Sequence, residues 1–199
     1  MLKKFKQHLQ NHFAFALTKR FLIATSGGID SMVLVDLMLK SNYKIIIAHC
    51  NFNLRGSESD GDEQFVRQFC ESKNIEYFIQ SFDTNQFSKD FKVSTQIAAR
   101  QLRYEWFENL RSQQQLDFIV TAHHADDVLE TFLINLSRGS GLDGLVGIPA
   151  INGNILRVLL PFSREEIENY AQEHHILWRE DSSNSSHKYV RNQIRHQVI

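Results

Sequence analysis

Six residues, Ser26-Gly27-Gly28-Ile29-Asp30-Ser31, join an apolar strand-like run to a helical stretch. The glycines let the chain turn sharply and let a ligand approach the backbone. The helix that follows offers unpaired N–H groups and the positive end of its dipole. Together these make a site for a phosphate-type anion. The hydroxyls of Ser26 and Ser31 add donors, and Asp30 can hold a divalent cation against phosphate oxygens. The loop is not GxxxxGK[ST], because it has no lysine to follow a terminal phosphate. The bland alternative is a β–α turn capped by Ser or Asp. A second group is Thr121-Ala-His123-His124-Ala-Asp126-Asp127-Val-Leu-Glu130-Thr131. Asp127 and Glu130 stand at i and i+3, so a helix puts both carboxylates on one face. They suit an ammonium group or a metal. A zinc reading of His123, His124 and Asp127 has spacing that matches no familiar His/Cys site. Acids at a helix start are also ordinary dipole complements.

Three further segments carry unusual residues. His49-Cys-Asn51-Phe-Asn-Leu-Arg55 follows a strand-like run, where His49 and Asn51 could meet a base or ribose; as a plain surface loop it would be rich in Asx turns. Arg100 and Arg103 are i, i+3 neighbours that could neutralise charge developing on a phosphate, or simply form a solvated basic face. Arg138 to Gly147 holds four glycines, more than a C-cap needs.

Elements that alternate in type must position these groups. Short apolar runs at 21–25, 43–48, 75–79 and 117–121 read as buried strands, with 155–160 a weaker fifth. Helical stretches occupy 31–39, 57–73, 95–110 and 126–136, and a last helix starts at the capping box Ser163-Arg-Glu-Glu166. The 95–110 helix carries Ile97, Leu102, Phe107 and Leu110. The 126–136 helix carries Val128, Leu129, Phe132, Leu133 and Leu136. The expected fold is α/β: a three-layer, Rossmann-like domain with a parallel sheet of about five strands and helices on both faces. Ligands in such folds bind beyond the carboxyl ends of the strands, which is where all three polar loops fall.

The chain has 199 residues, 42% of them hydrophobic and 23% charged, which excludes wholesale disorder. Two cysteines, Cys50 and Cys70, exclude a disulfide scaffold, a four-cysteine zinc site and a cysteine-ligated iron–sulfur cluster. No apolar run is long enough to span a bilayer, and polar residues interrupt any signal-peptide core, so a cytoplasmic protein with no membrane contact is expected. Lys plus Arg is 22 and Asp plus Glu is 23, a net charge of −1. That balance hides polarity: the first twenty residues hold five bases and no acid, while residues 50–90 hold eight acids and four bases. A polar run at 180–186 leads to Lys188, Arg191 and Arg195.

Taken together, these motifs resemble the tRNA(Ile)-lysidine synthetase family, N-type ATP pyrophosphatases of the PP-loop superfamily with an adenine nucleotide alpha hydrolase-like fold. The matching segments are SGGxDS at 26–31, HxNxxLR at 49–55, SxxD at 57–60 and ARxxRYxxF at 99–107. They continue with TAHHxDDxxET at 121–131, RGxGxxGLxGI at 138–148, WxEDxSN at 178–184 and YxRNxIRH at 189–196. The resemblance implies one catalytic domain over 1–199. The family reaction adenylates the wobble cytidine of a CAU-anticodon isoleucine tRNA with ATP, releases pyrophosphate, and lets the amine of free L-lysine displace AMP. It implies ATP and Mg²⁺ as cofactors. ATP binding would fall to Ser26, Gly27, Gly28, Ile29, Asp30, Ser31, His49 and Asn51, with Asp30 on Mg²⁺. Asp127 and Glu130 would bind lysine and assist its deprotonation. Arg103 and His123 would stabilise charge on the α-phosphate and the activated base, and Arg191 and Arg195 would meet RNA phosphate. A homodimer is a further expectation from the family. Departures are Phe52, Val128 and Val158, where histidine, glutamine and proline are frequent. Most members continue into C-terminal domains that grip the tRNA, whereas this sequence stops at Ile199, so weak, salt-sensitive RNA binding is expected. Two other readings stay open: a tRNA sulfur-transferase on the same fold, and a non-catalytic RNA-binding relative.

Overall fold

The computed structural model describes residues 1–16, 18–139, 141 and 146–180. The run Arg20-Phe-Leu-Ile-Ala24 forms β1, and its side chains alternate between two apolar layers. Phe21 and Ile23 enter a core with α2 (Ile29–Lys40), α3 (Ser57–Lys73) and α7 (Arg164–Glu173). Leu22 enters the opposite core with Phe107 and Leu110 of α5 (Thr95–Gln113). A strand buried on both faces reads as a continuous apolar run. The central position of β1 follows from that. β2 (Lys44–Asn51) lies parallel to it on one side, and β4 (Phe118–Val120) lies parallel on the other, with Leu22 level with Ile46 and Ile119.

β3 (Tyr77–Ser81), β5 (Ile151–Asn152) and β6 (Ile155–Leu156) complete the sheet. Its order is β3-β2-β1-β4-β6-β5. All pairings are parallel except β5 with β6. The expected parallel three-layer architecture is therefore present, with one strand more than the five expected. The extra strand is an antiparallel hairpin turning on Asn152-Gly153-Asn154, where Gly153 has φ +57°. An Asn-Gly pair between apolar residues is a hairpin signal.

Helix bounds follow local grammar. Ser94 caps α5 by accepting the Ile97 N–H at 3.3 Å. The expected capping box of α7 forms in both directions, Glu166 N–H to Ser163 Oγ at 3.1 Å and Ser163 N–H to Glu166 Oε2 at 3.0 Å. α1 (Leu2–His12) and α4 (Thr84–Asp90) are additional helices. α1 buries Phe5 and Leu9 against the α2 side of the sheet.

Two helices leave part of their apolar residues uncovered. Ile97 is 54% exposed, because α5 turns its Phe107 and Leu110 side to the sheet. On α6 (Ala125–Ser137) the apolar stripe is not core: Leu129 and Leu136 are about half exposed, and Glu130 is the buried residue. Apolar periodicity marks a face that avoids water, but it does not say which layer covers it.

Candidate active site

Strand order reverses direction between β1 and β4, and the polar loops meet in the crevice at that point, as α/β geometry requires. The Ser26–Ser31 loop leaves β1 with Gly27 at φ +92°, a conformation open to glycine. Ser31 Oγ accepts the Gly27 N–H at 3.2 Å and donates to the Gly28 carbonyl at 2.8 Å. Ser26 Oγ accepts the Gly28 N–H at 3.2 Å and lies 3.3 Å from Ser31 Oγ. The hydroxyls thus gather on the backbone donors at the start of α2. An incoming anion would meet N–H groups and hydroxyls already converged on one point. Ile29 is the first residue of α2 and is buried, so its contribution is its backbone.

Across the crevice, the loop after β4 brings its acids to the same place. Asp127 Oδ2 accepts the His124 N–H at 3.0 Å and caps α6. The buried His124 ring places Nε2 3.6 Å from Asp127 Oδ2 and 3.7 Å from Asp30 Oδ1. Asp30 and Asp127 therefore flank one imidazole although they are far apart in sequence. Thr121 Oγ1 and His123 Nδ1 pair at 2.9 Å. A cavity of ≈ 260 Å³ opens between these groups, with Ser26, Asp30, Ser31, Arg103, His123 and Asp127 among its walls. Glu130, one turn along α6 from Asp127, is fully buried.

Arg164, the first residue of α7, was legible in sequence only as part of a capping box. In the fold its Nη1 donates to both oxygens of Asp30, at 2.7 and 2.8 Å. Its backbone N–H donates to Asp126 Oδ1 at 3.3 Å. Burial raises the Asp30 carboxyl above its ordinary value; His124 and Arg164 oppose that rise, and Asp127 reinforces it. Two carboxylates beside a phosphate cradle fit Mg²⁺, which takes one or two protein carboxylates and fills its shell with phosphate oxygen and water. Among the described residues no group of three or more His, Cys, Asp or Glu side chains forms an all-protein cage, so the zinc reading of His123, His124 and Asp127 finds no support.

The loop after β2 borders a second cavity of ≈ 770 Å³, which shares Ser26, Cys50, Phe52 and Arg103 with the first. Arg103 lies over the Phe52 ring at 5.1 Å and so stands between the two. Arg100 instead covers Tyr104 at 4.9 Å. His49 and Asn51 are buried, and both have fold-internal roles. His49 Nδ1 meets the Thr25 carbonyl at 2.9 Å, while its Nε2 has no hydrogen-bond partner among the described residues. Burial lowers the His49 pKa despite that bond, which favours the neutral ring. Asn51 donates to Glu63 at 3.0 Å and to Asp60 at 3.3 Å, and accepts the Asn53 N–H at 3.0 Å. Burial pushes the thiols of Cys50 and Cys70 up to about 12. Arg191 and Arg195 lie outside the described residues, as does much of the glycine-rich loop.

Comparison with known proteins places this geometry. The sequence profile described as the PP-loop domain matches residues 1–199. A tRNA(Ile)-lysidine synthase of Bacteroides thetaiotaomicron is 42% identical over 95% of this chain and 44% of its own length. One from Chlorobaculum tepidum is 42% identical over 99% of this chain and 61% of its own. One from Porphyromonas gingivalis is 42% identical over 89% and 39%. The chain thus spans between about two fifths and three fifths of the length of these relatives. Among solved structures, U34-tRNA thiolase NcsA from Methanococcus maripaludis, with its [4Fe-4S] cluster, superposes with a TM-score of 0.77 at 19% identity, over 98% of this chain and 71% of that one. NMN synthetase from Francisella tularensis gives 0.62 at 15% identity, over 100% and 88%. At such identities these structures speak for the shared fold alone. With a profile match along its whole length and the loop, sheet order and crevice described above, the chain belongs to the ATP-using PP-loop domain family.

Proposed function

We propose that this chain is the catalytic domain of a tRNA(Ile)-lysidine synthase, joining L-lysine to C2 of the wobble cytidine of a CAU-anticodon isoleucine tRNA. The observation that carries the reading is the meeting of Asp30 and Asp127 at His124, beside the Ser26–Ser31 cradle, in one crevice. Identity of 42% to lysidine synthases over nearly the whole chain supports the substrate class.

In this reading the backbone N–H groups of Gly27 and Gly28 and the hydroxyls of Ser26 and Ser31 bind ATP phosphates. The cytosine carbonyl oxygen attacks the α-phosphorus and pyrophosphate leaves. Arg103, at the wall common to both cavities, offsets the charge that builds on the α-phosphate. His123, held through Nδ1 by Thr121, lines the same cavity and stabilises charge on the α-phosphate and the activated base. Asp127 binds the lysine ammonium and takes a proton from it, so that the amine can attack C2 and expel AMP. Mg²⁺, held by Asp30, would supply Lewis-acid charge at the phosphates. Glu130, the buried carboxylate one turn along α6, joins Asp127 in holding the lysine ammonium. His49 and Asn51 shape the wall of the second cavity. Arg191 and Arg195 remain the candidates for RNA phosphate, and the homodimer and cytoplasmic location remain part of the proposal. Among the described residues no helix is long and apolar enough to cross a membrane.

Sulfur transfer fits less well: Cys70 is buried away from both cavities, and Cys50, although at their shared wall, has its thiol pushed up to about 12, which keeps it protonated. The test is incubation with ATP, Mg²⁺, radiolabelled lysine and unmodified minor isoleucine tRNA. Label on the RNA, with tRNA-dependent pyrophosphate release, is the expected outcome. Absence of both, where a full-length relative succeeds, refutes the reading.

A further inference from the structure

The segment after α7 returns across the Ser26–Ser31 loop. Arg179 donates its backbone N–H to the Gly27 carbonyl at 3.0 Å. Its Nε donates to Asp62 Oδ1 at 2.6 Å. The other oxygen of Asp62 accepts from Arg55 Nη2 at 2.7 Å. One carboxylate on α3 therefore holds an arginine from the loop after β2 and another from the segment after α7. Its side chain is 12% exposed, so both bonds are shielded from water on the Asp62 side. The room for this arrangement comes from Gly61: a Cβ there would lie 2.9 Å from Arg179 Nη2 and 3.3 Å from its Cζ.

The Gly27 carbonyl matters because of peptide geometry. In a trans peptide the C=O of one residue and the N–H of the next point in opposite directions. Holding the Gly27 carbonyl toward Arg179 thus aims the Gly28 N–H the other way, where it meets Ser26 Oγ in the cradle. A peptide between two glycines has little steric resistance to rotation. An external restraint on the carbonyl is then what keeps the donor aimed inward.

We infer that Arg179 is a positioning residue for the nucleotide loop: anchored by Asp62, it pins the Gly27 carbonyl and keeps the Gly28 N–H directed at ATP phosphate. The inference rests on the ATP reading of the loop. It assigns a role to the Trp178–Glu180 stretch and to Gly61 that neither chemistry at the crevice nor core burial requires.

The test uses the 199-residue chain with four substitutions: Gly61→Ala, Arg179→Ala, Arg179→Lys and Ser26→Ala. ATP binding with Mg²⁺ is measured by calorimetry, adenosine binding by competition, and stability by thermal melting. Gly61→Ala should weaken ATP binding about tenfold, equivalent to about 1.4 kcal/mol. Adenosine affinity should stay the same, because the clamp acts on the phosphate loop. Its melting temperature should hold or rise, since alanine is the better helix former by about 1 kcal/mol. Arg179→Ala should lose ATP affinity to a similar extent, and Arg179→Lys should lose less. ATP affinity unchanged in Gly61→Ala and Arg179→Ala, with Ser26→Ala weakened, overturns the positioning role and leaves the loop reading intact. ATP affinity unchanged in Ser26→Ala as well, or no ATP binding by the parent chain, overturns both. Equal losses for ATP and adenosine, or a melting temperature that falls in step with affinity, would mark a merely structural contact and also overturn the inference.

Discussion

Replacing Arg164 with alanine isolates the electrostatics of the crevice. The guanidinium makes two contacts with Asp30, at 2.7 and 2.8 Å, and each side chain is about one third exposed. Breaking a fully buried pair costs about 3–5 kcal/mol, and an exposed pair is worth about 0–1 kcal/mol. The intermediate exposure places this one near 2 kcal/mol, about 4–8 °C in melting temperature for a domain of this size. The second contact, Arg164 Nε to Glu168 at 2.7 Å, is solvent-screened and adds little. The loss should depend on pH. Burial already raises the Asp30 carboxyl, and the Arg164 guanidinium is one of the groups that restrain it. Without Arg164 it rises further, so the folded state holds its proton to a higher pH than the unfolded chain does. The penalty is then fully present above the raised folded pKa and fades as pH falls toward the unfolded value near 4. Melting curves of both proteins in metal-free, chelator-treated buffer, from about pH 7.5 to about pH 4.5, test this. The gap between them should be widest at neutral pH and narrow on acidification. A gap of constant size across that range, or none at neutral pH, refutes the assigned coupling. Arg164→Lys should recover only part of the gap, since an ammonium keeps the charge but not the planar fork.

Other outcomes follow from the same geometry. Gly27→Ala forces a side chain into φ +92° with Phe65 3.4 Å away, so it should cost about 1–3 kcal/mol in melting experiments and reduce ATP binding sharply. Asp127→Ala should abolish transfer of labelled lysine while ATP binding stays measurable; transfer at the parent rate would remove Asp127 from the mechanism. The double variant Cys50→Ser, Cys70→Ser should still transfer lysine, at some loss of stability from the buried Cys70; loss of transfer in a folded sample would revive a thiol mechanism.

Much of the crevice was legible because its signals are local. Glycine at a strand-to-helix turn, hydroxyls beside it and acids opening a helix are properties of a few adjacent residues, and the fold keeps all of them where β1 and β4 end. The bounds of α3 were legible too, since Ser57 opens it and Asn74, in the left-handed conformation at φ 53°, closes it. Spacing puts Asp127 and Glu130 on one side of α6 but does not give their depth: Glu130 is fully buried while Asp127 stands at the cavity wall. The hairpin at Ile151–Leu156 had its Asn-Gly signal in plain sight, yet two-residue strands are too short for periodicity to register.

By itself, the sequence determined the alternation of the main strands and helices, the glycine turn after β1 and the family resemblance, because periodicity, caps and glycine turns act within a few residues of one another. The tertiary structure alone decided which distant side chains share a charge. Arg164 reaches Asp30 across 134 residues, and Arg179 reaches Asp62 across 117. Those pairings depend on sheet order, on which face each helix covers and on how deeply it sits. No local pattern encodes them, since an arginine in the first turn of a helix looks the same whether it meets water or a buried carboxylate.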